Sequence, residues 1–212
     1  MVQIIDTGDS RSFPARHRLH ELPGEDIVVV VGAAVGPALA KLGDISSRAA
    51  VLVELGTECL GVHTGERGGE EGSNILGFAR FRLGEGEPSN LVELVRQPRS
   101  AQRAIDAAKV LFEAAGLQVA LCSDFPGRII DRLVRPYYNA ALRRLDEGLA
   151  TAPDMDLTLR LGLGYPEGPI ALLEKTGLAR HFDVTQALYE SLGDPAYAPA
   201  RRARVAKQRE GK

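Results

Sequence analysis

The chain of 212 residues has no tryptophan, five tyrosines and six phenylalanines, so aromatics make up only 5% of it. That leaves little material for stacking nucleobases or sugar rings, and both binding classes fall back. Cysteine is equally scarce, with Cys59 and Cys122 alone. Two thiols are too few for a disulfide framework and neither has a partner at metal-ligand spacing, so a reduced cytoplasmic compartment and no metal site are expected. Positive charge is not in excess either: 26 basic against 28 acidic side chains give a formal charge of -2. No net field is available to condense on nucleic acid or anionic lipid. The longest apolar run, Ile27 to Val31, is far too short to span a bilayer, and no signal-peptide pattern opens the chain. The expectation is a soluble, unexported protein with neither nucleic acid nor membrane as partner.

What is present is 44% apolar content and a pattern that changes character partway along. Val2 to Asp6 reads as a short strand, and Asp26 to Val31 is a continuous β-branched run suited to a strand covered on both faces. A short apolar helix from Val35 to Leu42 and a second buried strand, Ala49 to Leu55, complete a β-α-β unit. Gly65 to Gly72, GERGGEEG, is a flexible loop by composition. Ile75 to Leu83 and Asn90 to Leu94 read as strands. Ser100 to Ala115 is an amphipathic helix with Ser100 available as its N-cap, stopped by Gly116, and Leu117 to Cys122 is one more strand. From Arg128 the pattern is helical. The first helix, through about Leu149, aligns Ile130, Leu133, Val134, Tyr137, Ala141 and Leu145 on one stripe, and shorter helices follow near 154–161, 169–176 and 182–192. The charged end, RRARVAKQREGK, is expected to fray. The chain divides into an α/β part over 1–125 and an all-α part over 126–212.

Asp124 to Thr151, DFPGRIIDRLVRPYYNAALRRLDEGLAT, resembles the start of the C-terminal domain of 3-hydroxyacyl-CoA dehydrogenases, where a D-x-PGF-I-x-NR signature opens a long helix. Pro153 to Leu178 is similar to that family's D-x-D, LGxGxPxGP and GL segment, and Leu188 to Pro199 to its next helix and loop. Upstream, SNLVELVRQPRSAQRAIDAAKVLFEAAGLQVALCSD is similar to the end of its nucleotide-binding domain, so the likeness runs from about Asp26 to Pro199. The resemblance implies a truncated Rossmann-like α/β domain followed by a helical domain that forms a homodimer, with NAD as cofactor if the chain is active and an acyl-CoA-type small molecule as ligand.

The resemblance also implies a proton-abstracting histidine in a G-x-HFFNP run, backed by the glutamate of LVEV, and an asparagine in the PGF-I-x-NR helix. Here Glu93 occupies the glutamate position, but the run reads Gly77, Phe78, Ala79, Arg80, Phe81, Arg82, Leu83, which puts Ala79 or Arg80 at the histidine. An alkyl group has no proton acceptor, and a guanidinium stays protonated near neutral pH. Asp131 takes the asparagine position. A substrate-contacting serine is replaced at best by Thr57. Glu93 and Asp131 are the candidate catalytic residues, each with a structural alternative: an acid on a strand, and an anion favoured by a helix dipole in the first turn. His63 is expected to be a surface residue, and Arg128, Arg132 and Arg135 a solvated helix face.

A G-x-G-x-x-G turn, which brings backbone amides against a pyrophosphate at a helix N-terminus, is missing. Gly32 and Gly36 in VVVVGAAVGPALA are the nearest approach, without the middle glycine. A nucleotide domain built from βα units of roughly 30 residues wants about 150 or more, and about 125 precede the helical part. The leading expectation is a family member whose hydride transfer is weak or lost. An active NAD-dependent oxidoreductase on a 3-hydroxyacyl-CoA or small 3-hydroxy acid, and a non-catalytic acyl-CoA-binding or regulatory subunit pairing with a full-length paralogue, are the alternatives.

Overall fold

The computed structural model describes residues 1–24 and 26–210 and separates into two units, residues 1–82 with 88–129 and residues 83–87 with 130–212. In the first unit, six strands among the described residues make one sheet: β1 (Gln3–Asp6), β2 (Ile27–Val31), β3 (Ala50–Glu54), β4 (Ile75–Arg80), β5 (Leu91–Arg96) and β6 (Gln118–Ser123), adjacent in that same order. All neighbours run parallel except β4 and β5. Every residue of β2 and β3 is buried, as their unbroken apolar runs require. Alternate residues serve opposite faces. Val28, Val30, Val51 and Val53 pack with Val35 and Leu39 of α1 (Val35–Ala40), whereas Val29, Leu52, Phe78 and Leu94 pack with Ile105, Ala108 and Phe112 of α3 (Gln102–Ala114). Because β5 and β6 run opposite to β2 and β3, a crossover of the same hand puts α3 on the face opposite α1.

The α/β fold with a helical part after it is as expected, with local corrections. Ser100 does not cap α3: its hydroxyl accepts the Gln97 amide at 3.0 Å, and Ala101 holds the cap position. The helix ends as a Schellman turn, with Leu117 N–H on Phe112 O and Gly116 N–H, at φ 85°, on Glu113 O. The Gly/Glu loop is tied rather than loose. The Glu71 carboxylate accepts the amides of Arg67 and Gly69, and Gly72 lies so close to the Arg99–Ser100 backbone that a Cβ would come within 2.3 Å of Ser100 N.

The second unit holds α4 (Ile130–Asp146), α5 (Ala152–Leu163), α6 (Pro169–Thr176), α7 (Leu178–Leu192) and α8 (Arg201–Glu210). No helix among the described residues is long and apolar enough to cross a membrane. The expected stripe on α4 is only in part its buried face: Ala141 is buried, but Leu133 is 70% exposed, and Asp131, Arg135, Tyr138, Asn139 and Leu142 point inward as well. Polar groups can be buried there because they form a chain. Arg135 Nε donates to Asp131 at 2.7 Å and its Nη1 lies 3.0 Å from His181 Nδ1. His181 Nε2 then meets Asn139 Oδ1 at 3.0 Å, Asn139 Nδ2 donates to Thr185 Oγ1 at 2.7 Å, and Thr185 donates to Tyr197 O. Pro136, inside α4, has no N–H for the carbonyl of Arg132 four residues back, and the Tyr197 hydroxyl donates to that oxygen at 3.0 Å. The C-terminal stretch forms α8 instead of fraying through Glu210, because Arg201 and Arg202 both reach Asp146 and Lys207 reaches Asp183; residues 211–212 lie outside the described residues.

Replacing Tyr197 with Phe removes the donor that covers the proline gap and is expected to lower unfolding free energy by about 1 kcal/mol in urea melts. Acid has a larger effect. Burial, and then the Arg135 guanidinium, push the pKa of His181 down to about 3 from 6.5. The unfolded chain therefore binds a proton that the folded chain refuses, so the stability from this site is complete above pH 6.5 and is lost as pH falls toward 3. The expected slope is about 1.4 kcal/mol per pH unit. Urea melts at pH 7.5, 6 and 5 measure it, and His181→Gln should remove that component of the slope.

Candidate active site

Glu93 lies in the middle of β5, and the antiparallel register sets it directly across from Ala79, with Arg80 across from Val92. The position opposite the carboxylate is thus a buried methyl group. Arg80 alternates to the other side of the pleat, where its guanidinium donates to Ser12 O at 2.7 Å and Ser89 O at 2.8 Å and stands over the Phe13 ring.

Glu93 is 2% exposed, and a carboxylate so far from water needs donors. They come from the turn after β6. Oε1 accepts the Ile129 amide at 2.8 Å, and Oε2 faces Arg128 Nε at 3.3 Å. Arg128 also donates to Gly56 O at 2.7 Å and adopts a left-handed backbone, φ 51°, which a non-glycine residue takes at a cost. Asp124 holds this turn in place by accepting the Leu60 and Gly61 amides at 2.6 and 2.9 Å, at the start of the short α2 (Gly61–Thr64). Thr57 contributes its carbonyl to the Gly127 amide.

Asp131 belongs to the helical unit, where it is buried against Arg135. The two candidate acids are therefore each met by a guanidinium: Glu93 stands with Ala79 and Arg128, Asp131 with Arg135. Arg128 and Arg135 consequently correct the expectation of a solvated arginine face. They sit inside because the carboxylates they neutralise do. His63 is not a surface residue either. Its side chain is 13% exposed, with Nε2 at 3.3 Å from Glu58, and it fills the space left by Gly36, where a Cβ would lie 3.0 Å from Nδ1. Burial and nearby carboxylates push the thiols of Cys59 and Cys122 up to about 11, so neither is a nucleophile at neutral pH.

Sequence reasoning missed Arg128 as the partner of Glu93. The signal was there: PGR stands where the resembled signature has PGF. It also missed Glu54, an acid inside the apolar run AAVLVEL, whose carboxylate accepts the amides of Ser12 and Gly32. These contacts bear on a dinucleotide. Its pyrophosphate needs free amides at a helix N-terminus. Among the described residues the β1–β2 connection contains only a 3-10 turn, Arg18–Glu21, Gly32 N–H is taken by Glu54, and Gly36 faces His63. The strand order has no reversal and hence no crevice of the switch-point kind. The residues at this edge do not fit the cofactor.

Residues 127–212 match the family model described as 3-hydroxyacyl-CoA dehydrogenase, C-terminal domain. A 3-hydroxybutyryl-CoA dehydrogenase from Bradyrhizobium diazoefficiens is 35% identical over 109 residues, 51% of this chain and 37% of that protein. The human mitochondrial hydroxyacyl-coenzyme A dehydrogenase is 38% identical over 88 residues, 42% of this chain and 28% of its own length. The chain thus spans well under half the length of these curated relatives. Among solved structures, M. tuberculosis FadB2 shares the fold with a TM-score of 0.72 at 22% identity, over 91% of this chain and 68% of that one. The (S)-3-hydroxybutyryl-CoA dehydrogenase PaaH1 from Ralstonia eutropha does so at 0.69 and 24%, over 85% and 64%. Residues 127–212 thus carry the C-terminal domain of the 3-hydroxyacyl-CoA dehydrogenases, in agreement with the ordered motifs of the sequence.

Proposed function

We propose that this chain is a family member in which hydride transfer is weak or lost, that it pairs as a homodimer through its helical unit, and that it takes an acyl-CoA-type thioester as ligand in the cytoplasm. The observation that carries the loss is the register of Ala79 with Glu93. Taking the proton from a hydroxyl requires a base whose pKa lies near the working pH and which reaches the hydroxyl. Ala79 offers no acceptor, Arg80 is permanently charged and turned away, and the carboxylate that would orient an imidazole is held by Arg128 and the Ile129 amide.

Homodimerisation is supported by α5. None of its twelve residues is buried, and Leu157, Leu161 and Leu163 are exposed, Leu161 by 77%. A helix with an uncovered apolar side is the usual mark of an interface. The cytoplasmic compartment is supported by two unpaired thiols.

Calorimetry and fluorescence titration with NADH, then acetoacetyl-CoA reduction at high protein concentration, test the reading. No saturable NADH signal and no turnover above buffer are expected, with acetoacetyl-CoA binding retained. Saturable NADH binding with turnover that Glu93→Gln abolishes would overturn it. Sedimentation equilibrium should give a dimer that Leu157→Asp with Leu161→Asp converts to monomer; a monomeric wild type removes the pairing. In urea melts, Arg128→Ala strands a buried carboxylate and should cost about 3–5 kcal/mol, whereas Glu93→Gln with Arg128→Met should cost much less than the single change.

A further inference from the structure

Open α/β sheets seat anionic ligands on backbone amides outside the carboxyl ends of their strands. At the ends of β1 and β2 those amides can be followed one by one. Gly8 N–H donates to Asp6 Oδ1 at 2.8 Å, Ala33 N–H to Gly8 O at 2.8 Å, and Ala34 N–H to Thr7 Oγ1 at 3.0 Å. Two more converge on one group. Ser12 N–H donates to Glu54 Oε1 at 2.6 Å and Gly32 N–H to Glu54 Oε2 at 2.7 Å. Glu54 closes β3 and is 5% exposed.

This convergence is built into the backbone. Gly32 has φ 100°, and a Cβ there would fall 2.1 Å from Gly8 O, so only glycine allows the loops after β1 and β2 to approach this closely. The approach is what brings the Gly32 and Ser12 amides to opposite oxygens of the same carboxylate. Two amides on two oxygens of one anion is also how a phosphate is held at such an edge. The adjoining cavity, about 230 Å³, is lined by Asp9, Glu54 and Glu58 beside Arg11 and His63. Arg11 donates to Arg82 O at 2.9 Å. Carboxylates outnumber guanidinium groups around this space, which repels a phosphate a second time.

We propose that Glu54 is an internal anion occupying the amide cradle a dinucleotide phosphate would need, so that its carboxylate excludes phosphate groups from this cradle and its removal uncovers a phosphate-binding site there. The proposal rests on the reading of the chain as one without hydride transfer and supplies a second cause for it, independent of position 79. Gly32 is held by its close approach to Gly8 O, and Ser12 by Arg80, whose amide donates to Ser12 Oγ and whose guanidinium donates to Ser12 O, so the cradle persists when the side chain is shortened.

The test titrates full-length wild type, Glu54→Ala and Glu54→Gln with inorganic pyrophosphate by calorimetry, with circular dichroism to confirm folding. Glu54→Ala should bind pyrophosphate at least tenfold more tightly than wild type. Glu54→Gln, which keeps one acceptor oxygen without the charge, should fall between them and serves as the reading if the alanine variant does not fold. Wild type that binds pyrophosphate as tightly as either variant overturns the proposal, as do folded variants no tighter than wild type. NADH turnover by wild type overturns both this proposal and the reading it rests on; unchanged pyrophosphate affinity in the folded variants overturns this one alone.

Discussion

A carboxylate removed from water must be met by donors, and the first unit is organised around two buried ones, Glu54 and Glu93, and the half-buried Asp124. Glu54 joins the ends of β1, β2 and β3 through the Ser12 and Gly32 amides. Glu93 draws the turn after β6 onto the middle of β5 through Arg128 and Ile129. Asp124 fixes the same turn to the start of α2. Each places loops that apolar packing alone would leave undetermined, because burying an acid without its donors costs more than the loop conformations they enforce. The left-handed backbone at Arg128 is one such enforced conformation.

The motifs by which the sequence resembles its family turn out to be largely architectural. Gly164 ends α5 with φ 71°, and Pro169 opens α6. Between them Gly168 passes so near Asp156 that a Cβ would overlap its side chain, and the Asp156 carboxylate accepts the amides of Ile170 and Ala171 at 2.9 Å each. The D-x-D and LGxGxPxGP spacings therefore encode one helix-to-helix corner, with a carboxylate capping the second helix. A family signature of this kind reports how the chain folds. The reaction that the resemblance implies depends on other residues, and the methyl group of Ala79 offers no proton acceptor.

The strands of the sheet were readable because β2 and β3 are unbroken β-branched runs, and α3 because its apolar positions recur at helical spacing. The α4 stripe is legible only in part, since Ala141 is buried and Leu133 is not. Its interior is instead a chain of hydrogen bonds from Asp131 to Thr185, and nothing in the sequence pairs Arg135 with a histidine so far along. α8 departs from the expectation for the opposite reason: its charges read as solvation, but acids on other helices match them. At the candidate site, Glu93 is legible from LVEL, and the β4–β5 register sets Ala79 rather than Arg80 across from it. Arg128 was hidden because ion pairs between distant segments have no periodicity.

The sheet's order has a kinetic meaning as well. Each strand lies beside the one made just before it, so no gap has to be held open for a later segment. Assembly can follow the direction of synthesis, each new strand adding to an existing edge across one connection. In a sheet whose order reverses, a central strand waits for a partner from the second half of the domain, and its exposed edge is open to misassociation meanwhile. Among the described residues, the edge each strand offers is covered as soon as the next strand emerges.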